Sequence, residues 1–415
     1  MTAERPGRGG RARRHLLVAG FVVAYLTAGG MTLALGDRVT SGGWLAVHLV
    51  LFGAATNAIV VWSEHFAAAL LRAAPVSERT ATARALALNL GVVAVLGGVH
   101  TGRPVLTAAG AWLVGAVVLA HAIALGARIG RALTGPLAGT VWFYVAASAA
   151  LLAGMGLGVL LAGGAPASTD AYRAMRLAHA HLNVLGWVGL AVVGTQFTLW
   201  PTVLRTRMVP GVGRAVRWSL ATMVVGLAAI TAGLLGQARV VALAGLAGYA
   251  AGLAVALGPF LRTLLRRRPH TAASWMLGAG LGWLAFSVVV DLVALAGSPQ
   301  VVDLDQRIDR LVPAVAVGFA LQVLTGSLTY LLPVVFGRGA YGNRKLTGVL
   351  EAAWPLRVAA VNLGVVLLVT GSPGGWAARA GWWLVVAGLG AFVPLAAAVL
   401  AWRLVENAGP ADPVG

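Results

Sequence analysis

The sequence predicts an all-α integral membrane protein with twelve transmembrane helices in three pseudo-symmetric four-helix modules. Hydrophobic residues make up 59% of the 415 residues, charged residues make up 10%, and the mean hydropathy is +0.86. A soluble protein of this length needs far more polar surface. Apolar runs of about 20 residues, the length that crosses a bilayer, recur along the whole chain. Glycine and proline repeat at shared offsets in several of these runs.

Taken in chain order, the hydropathy predicts spans at 15–35, 43–71, 84–100, 104–127, 137–163, 174–203, 215–235, 239–262, 271–296, 312–336, 348–371 and 377–403. An even number of spans places both termini on one side. The positive-inside rule makes that side cytoplasmic, because it carries the larger share of Arg and Lys, at 5–14, 72, 79, 84, 128, 131, 205–217, 262–268 and 338–345. We therefore expect a multi-pass protein of a bacterial-type plasma membrane, with the lipid bilayer as its main partner.

The net charge of +19 is spread between spans instead of forming one basic patch. No nucleic-acid-binding module surrounds the basic residues, so nucleic acid is not expected as a partner. The longest predicted outer loop, 298–311, is expected to form an interfacial turn or a short helix. No segment outside the spans is long enough for a separate soluble domain, so the chain is expected to form one polytopic membrane domain.

An internal repeat links spans two, six and ten. The residues that share the offsets 0, +5, +13 and +20 are His181, Gly186, Gly194 and Pro201 in span six and Pro313, Gly318, Gly326 and Pro333 in span ten; span two shares the first two, His48 and Gly53. These spans are four helices apart and run in the same direction. The repeat predicts modules at approximately 15–127, 137–262 and 271–403, although glycine-rich helices also match by chance.

Histidine is the only strong nitrogen ligand of this chain, since it has no cysteine and eight histidines. His48 and His181 occupy equivalent repeat positions at similar depth, so their imidazoles could clamp a metal ion or the iron of haem b. His179, two residues before His181, points about 200° away and could serve a second haem or a copper ion, with His100 as a further ligand. Alternatively, each histidine only satisfies hydrogen bonds within a packed bundle.

A second group of polar residues lies elsewhere in the spans. His65 and Glu64 follow His48 by about 25 Å along span two, and His121 lies in the same half of the membrane, so they could form a second site or a proton path. Asp291 in span nine is an intramembrane carboxylate, which is functional by default. Interfacial contacts explain these residues equally well. Four other polar residues are expected to bridge helices, namely Asn57, Asn183, Gln196 and Gln322.

The string from His179 to Gly189, His-Ala-His-Leu-Asn-Val-Leu-Gly-Trp-Val-Gly, resembles subunit I of the haem–copper oxidases. It is most similar to the cbb3-type oxidases and nitric oxide reductases. The string His-Thr-Gly-Arg at 100–103 is similar to one in the NnrS-like haem and copper membrane proteins, a related twelve-span group. The resemblance implies twelve spans with pseudo-threefold symmetry. It also implies a histidine of the pair on each of two haems, with His48 completing the low-spin site.

The positions of the histidines differ from those in the oxidases. Their His-x-His pair lies on span ten, whereas here span ten has no histidine and span seven has none for a copper centre. A dioxygen-reducing oxidase is therefore not expected. The sequence favours a haem-binding protein that transfers electrons or handles nitric oxide or copper. An outer-face cupredoxin or multicopper oxidase is a possible redox partner. A transporter or metal carrier for copper or a small solute, without haem, is the alternative.

Overall fold

The fold is a bundle of helices with no strand among the described residues. The structure, a computed structural model, describes residues 8–35, 38–74, 76–130, 137–337 and 339–408, with side chains except at 8–14, 306, 339–341 and 403–408. In this part of the chain twelve helices are long and apolar enough to cross a membrane. The predicted all-α, twelve-span fold class is thus confirmed. The basic residues Arg5, Arg131 and Arg338 lie outside the described residues.

The spans, numbered one to twelve in chain order, are His15–Leu35, Gly42–Leu70, Glu78–His100, Pro104–Ile129, Ala138–Ala162, Thr169–Val203, Val212–Leu235, Arg239–Arg266, Ala272–Ala296, Asp309–Phe336, Gly342–Thr370 and Trp376–Trp402. We call the end of the bundle that holds segments 163–168 and 297–308 the distal end. The proximal end is the opposite one, and it holds segments 71–77 and 204–211.

Three spans begin five or six residues before their predicted starts, namely span three at Glu78, span six at Thr169 and span eleven at Gly342. Span three begins at Glu78, six residues before the predicted start, because the Ser77 side chain accepts a hydrogen bond from the backbone N–H of Thr80 and caps a polar first turn. Span eleven is interrupted at 351–353, between the helices Gly339–Leu350 and Trp354–Thr370. Ala353 adopts a left-handed φ of 51° there, and Pro355 occupies the first turn of the second helix.

The segment between spans nine and ten forms a short helix, Leu304–Ile308, flanked by the 3₁₀ turns Val301–Asp303 and Asp309–Leu311. The short helix that the sequence predicts for this segment is therefore present. Arg176 of span six holds the segment in place. Its Nε lies 2.5 Å from Oδ1 of Asp305, and its Nη1 lies 3.2 Å from Oδ1 of Asp309. Two charge-assisted contacts fix the segment at the distal end of span six.

Spans two, six and ten form the interior of the bundle. The most apolar stretches of these spans are 56%, 78% and 72% buried, against at most 39% for the other nine. A contact between two of the inner spans is polar, since the indole Nε1 of Trp187 donates to Oγ1 of Thr56 at 3.0 Å. Polar groups on these spans therefore meet protein instead of lipid.

Each inner span contains a π-helical segment that begins at or directly after its first repeat residue. The segments are Leu49–Ala55, Leu182–Leu190 and Pro313–Leu321. The first begins directly after His48 and the second directly after His181, the two residues that the sequence repeat aligned. π-Helical turns are rare and often occur at functional sites. At this depth, the wide turns change the direction in which the following side chains of each inner helix point. Hydropathy alone does not predict this change.

The repeat glycine in each π segment packs closely against an outer helix. A Cβ atom on Gly53 would lie 2.6 Å from the Tyr25 ring of span one. On Gly186 it would lie 2.5 Å from Cβ of Ala150 in span five, and on Gly318 it would lie 2.7 Å from the Trp283 ring of span nine. In each case the preceding span packs on the glycine, and only glycine allows this approach.

The remaining outer helices pair in the same way in every module. Spans three and four cross at Gly91 and Gly110, spans seven and eight at Gly226 and Gly245, and spans eleven and twelve at Gly364 and Gly381. At each crossing, a Cβ on either glycine would lie 2.7–2.9 Å from the carbonyl oxygen of the other. The three crossings show that the repeat extends beyond the inner spans.

Reciprocal amide pairs link inner and outer spans in two modules. The Asn57 and Asn89 side chains donate to each other at 3.0 and 2.9 Å, between spans two and three. Gln322 and Asn362 do the same at 3.2 and 3.1 Å, between spans ten and eleven. The predicted helix-bridging role of Asn57 and Gln322 is confirmed. Each pair satisfies buried polar groups that lipid could not.

Candidate functional site: a histidine pair between spans two and six

His48 and His179 face each other across the interface of spans two and six, near the distal end. Their ring centroids are 6.3 Å apart and the ring planes differ by 24°. Each histidine lies in the last turn of an α-helix, Gly42–His48 or Thr169–His181, just before the π segment. Both histidines are partly exposed.

Each ring is held in place by a hydrogen bond from its own Nδ1 atom. Nδ1 of His48 donates to the carbonyl of Trp44 at 2.8 Å, and Nδ1 of His179 donates to the carbonyl of Gly154 at 2.7 Å. A carbonyl can only accept, so the ring proton is on Nδ1 in each neutral imidazole. Nε2 is then left as a lone-pair donor. Metal-binding histidines typically fix their tautomer through such a contact on the second nitrogen.

The ring separation fits one metal centre between the two imidazoles. A histidine nitrogen lies about 2.0 Å from its metal, and the ring centroid lies about 1.2 Å behind that nitrogen. Two imidazoles on opposite sides of one metal therefore have centroids about 6.4 Å apart. The observed 6.3 Å agrees with this value.

Span five provides the surface against which His179 lies. Gly154 and Gly158 are four residues apart on one face of that helix. A Cβ on Gly158 would lie 2.9 Å from Cε1 of His179, and one on Gly154 would lie 2.6 Å from Nδ2 of Asn183. Asn183 donates to the His179 carbonyl at 2.7 Å. Gly-x-x-x-Gly motifs allow close helix approach, and this one was a signal that the sequence analysis missed.

Trp44 restricts His48 on the other side of the pair. Its indole stacks on the imidazole with centroids 4.2 Å apart, while its carbonyl accepts the Nδ1 proton. The same tryptophan lines a cleft of about 590 Å³ between the end of span one and the start of span two. Trp44 therefore contacts both this cleft and the His48 ring.

His181 is not the partner of His48, which corrects the predicted pairing. Nε2 of His181 lies 2.8 Å from Oδ2 of Asp291 in span nine, and its Nδ1 donates to the carbonyl of Leu177 at 2.8 Å. Both nitrogens are therefore engaged. The sequence repeat correctly aligned His48 with His181 in depth. The repeat did not determine the rotation of span six about its own axis. Because residues two apart on a helix point about 200° away from each other, that rotation decides which histidine faces His48.

His100 does not complete a metal site with the pair. It is exposed at the distal end of span three. Within the described residues, no group of three or more His, Asp or Glu side chains is placed to hold a metal ion. The predicted combination of His179 with His100 is therefore not what the structure brings together.

The predicted second group divides into three contacts at the proximal end. Nε2 of His121 lies 2.9 Å from Oγ of Ser63, and Oε2 of Glu64 lies 3.8 Å from Nη1 of Arg84. His65 instead meets the ring of His15 edge-on, with centroids 5.8 Å apart. Asp291 belongs to the distal half with His181. These four predicted residues do not form one site.

Comparison with known proteins adds no assignment, since no family model and no curated protein matches the chain.

Proposed function

We propose that this protein is a membrane redox protein that binds haem b between spans two and six, with His48 and His179 as the axial ligands. The single observation that supports this is the 6.3 Å separation of two near-parallel imidazoles, each of which donates its Nδ1 proton to a backbone carbonyl. A bound haem would supply reversible one-electron chemistry.

The number of ligands favours haem over a bare metal ion. Zinc and copper(II) sites usually take three or four protein ligands, and the described residues offer only two here. The porphyrin provides four nitrogens of its own, so haem needs only two axial ligands from the protein. A copper(I) ion on two imidazoles is the competing occupant.

The surroundings assign a role to each neighbouring side chain. Trp44 and Gly154 hold the two imidazoles through their carbonyl groups, which leaves Nε2 of each ring as the atom that would bind the iron. Gly158 leaves room for the His179 ring. The pair is near the distal end, which the positive-inside rule places at the outer face. Electron exchange with an outer-face cupredoxin or multicopper oxidase is the corresponding partner hypothesis.

The test is an absorption spectrum with metal analysis of the purified protein, expressed with haem in adequate supply. We expect a Soret band, a low-spin six-coordinate spectrum and one iron per chain. His48→Ala and His179→Ala should each abolish the low-spin spectrum. His100→Ala, the matched control at the same end of the bundle, should leave it unchanged. A folded, monodisperse protein without a Soret band would contradict the proposal, and stoichiometric copper in its place would identify a copper site.

A further inference from the structure

A group of basic residues lies at the proximal end of the first module, far from the histidine pair. Arg84 is in the second turn of span three, and Arg128 is in the last turn of span four. Nη1 of Arg84 lies 3.8 Å from Oε2 of Glu64 in span two, and Nε2 of His121 lies 2.9 Å from Oγ of Ser63, the residue before Glu64. Arg128 follows His121 by two turns, which places both on one face of span four. The three side chains therefore form one cluster between spans three and four.

Two donors of this cluster have no acceptor. Nη1 of Arg84 and Nη1 of Arg128 are both buried, and neither makes a hydrogen bond within the described structure. Buried donors in proteins are almost always paired with protein or ordered water. Two such exceptions on two charged groups of one cluster indicate that an acceptor from outside the chain belongs there.

The charge of the cluster indicates the kind of acceptor. Its acidic neighbour is Glu64, with Oε2 3.8 Å from Nη1 of Arg84, a distance too long for a hydrogen bond. Arg128 has no ion pair with any described carboxylate. Two guanidinium groups against one carboxylate leave a net positive charge. The missing acceptor is therefore an anion, and guanidinium groups match the oxygen geometry of phosphate.

The location indicates where that phosphate comes from. Both arginines are near the proximal ends of their spans, Arg84 in the second turn of span three and Arg128 in the last turn of span four. The Arg84 side chain is 21% exposed and Arg128 is partly exposed, so the cluster can be reached from the membrane surface. Basic pockets between transmembrane helices are known recognition sites for anionic headgroups.

We propose that Arg84 and Arg128 bind the phosphate group of an anionic phospholipid at the proximal end of spans three and four. Nη1 of each arginine donates to phosphate oxygens, and His121 lies beside them, held by Ser63. The lipid joins spans three and four at the proximal end, as the Gly91–Gly110 crossing joins them nearer the membrane centre. This site is independent of haem.

The experiment measures the thermal unfolding midpoint of the full-length protein in detergent during two titrations. One adds inorganic phosphate against sodium chloride of equal ionic strength, and the other adds phosphatidylglycerol against phosphatidylcholine. We expect phosphate and phosphatidylglycerol to raise the midpoint in a saturable way. Arg128→Gln should weaken the apparent affinity by about tenfold or more, since a charge-assisted contact is lost. Arg79→Gln, which changes an exposed arginine at the proximal end of span three, should respond like the unmodified protein.

The outcomes separate the alternatives. If phosphate stabilises the protein and phosphatidylglycerol does not, the site binds phosphate from solution and the lipid source is wrong. If neither ligand raises the midpoint, or if Arg128→Gln responds like Arg79→Gln, the proposal is wrong. Arg84→Lys keeps the charge but loses the planar fork, and it should have intermediate affinity. Should a variant fail to fold, isothermal titration of the unmodified protein with phosphate decides, because absence of saturable binding overturns the site.

Discussion

Nε2 of His181 lies 2.8 Å from Oδ2 of Asp291, whereas His179, two residues earlier on the same helix, faces His48 with ring centroids 6.3 Å apart. One turn of span six therefore contacts span nine on one side and span two on the other. His181 and Asp291 join the second and third modules through a buried polar contact. His179 is left as the histidine of this turn that is available to a cofactor.

The His181–Asp291 contact should stabilise the protein as a pair. The two side chains are 3% and 8% exposed, so removing either one leaves its partner buried without compensation. We expect His181→Ala or Asp291→Ala to cost about 3 kcal/mol each. The double substitution should cost clearly less than the sum. Thermal or denaturant unfolding in detergent measures all three, and additive costs would show that the residues do not act together.

Gly158→Ala should disturb the histidine pair although neither histidine is replaced. The new Cβ would lie 2.9 Å from Cε1 of His179, so the ring or span five must shift. We expect a destabilisation of about 1–3 kcal/mol and, if haem is bound, a loss of low-spin character in the absorption spectrum. Gly156→Ala is the matched control on the same helix, because nothing lies within 4 Å of its Cβ position. Equal behaviour of the two variants would argue against the close packing of spans five and six.

Hydropathy predicted the twelve spans because apolar length depends on bilayer thickness and needs no knowledge of neighbours. It missed the first turn of span three, since Glu78 and Arg79 are polar and the turn depends on the Ser77 cap. The repeat offsets of glycine linked spans two, six and ten, and the structure shows that these three spans form the interior of the bundle. The structure adds what each glycine touches.

The pairing of the histidines was beyond sequence reasoning because it depends on helix rotation. Depth follows from counting residues, but the choice between His179 and His181 depends on the angle of span six about its axis. The partner of Asn57 could not be foreseen either, since Asn89 is one of several polar residues on neighbouring spans. The Gly154-x-x-x-Gly158 motif was the available signal. It marks the face of span five that receives His179 and Asn183.

The glycine crossings of the outer helices make a prediction that is common to the three modules. In Gly226→Ala the Cβ would lie 2.5 Å from the backbone nitrogen of Tyr249 and 2.7 Å from the carbonyl oxygen of Gly245. Backbone atoms cannot yield as side chains do, so we expect a loss of about 1–3 kcal/mol in unfolding free energy. Gly258→Ala in span eight should be neutral or slightly stabilising, since its Cβ position is open and alanine favours helix. A neutral Gly226→Ala would show that spans seven and eight are further apart than described.

Replacing His48 by another residue that can bind iron tests the haem proposal more sharply than removing its side chain. His48→Met retains a side chain that can ligate iron, and a Met/His pair has a higher reduction potential than two imidazoles. We expect the variant to keep a six-coordinate, low-spin spectrum and to raise the midpoint potential by on the order of 0.1 V. Redox titration followed in the α band measures the shift. His100→Met should change neither the spectrum nor the potential, because His100 is exposed and away from the pair. If His48→Met binds haem with an unaltered potential, His48 is not an axial ligand, and the iron is held by other residues.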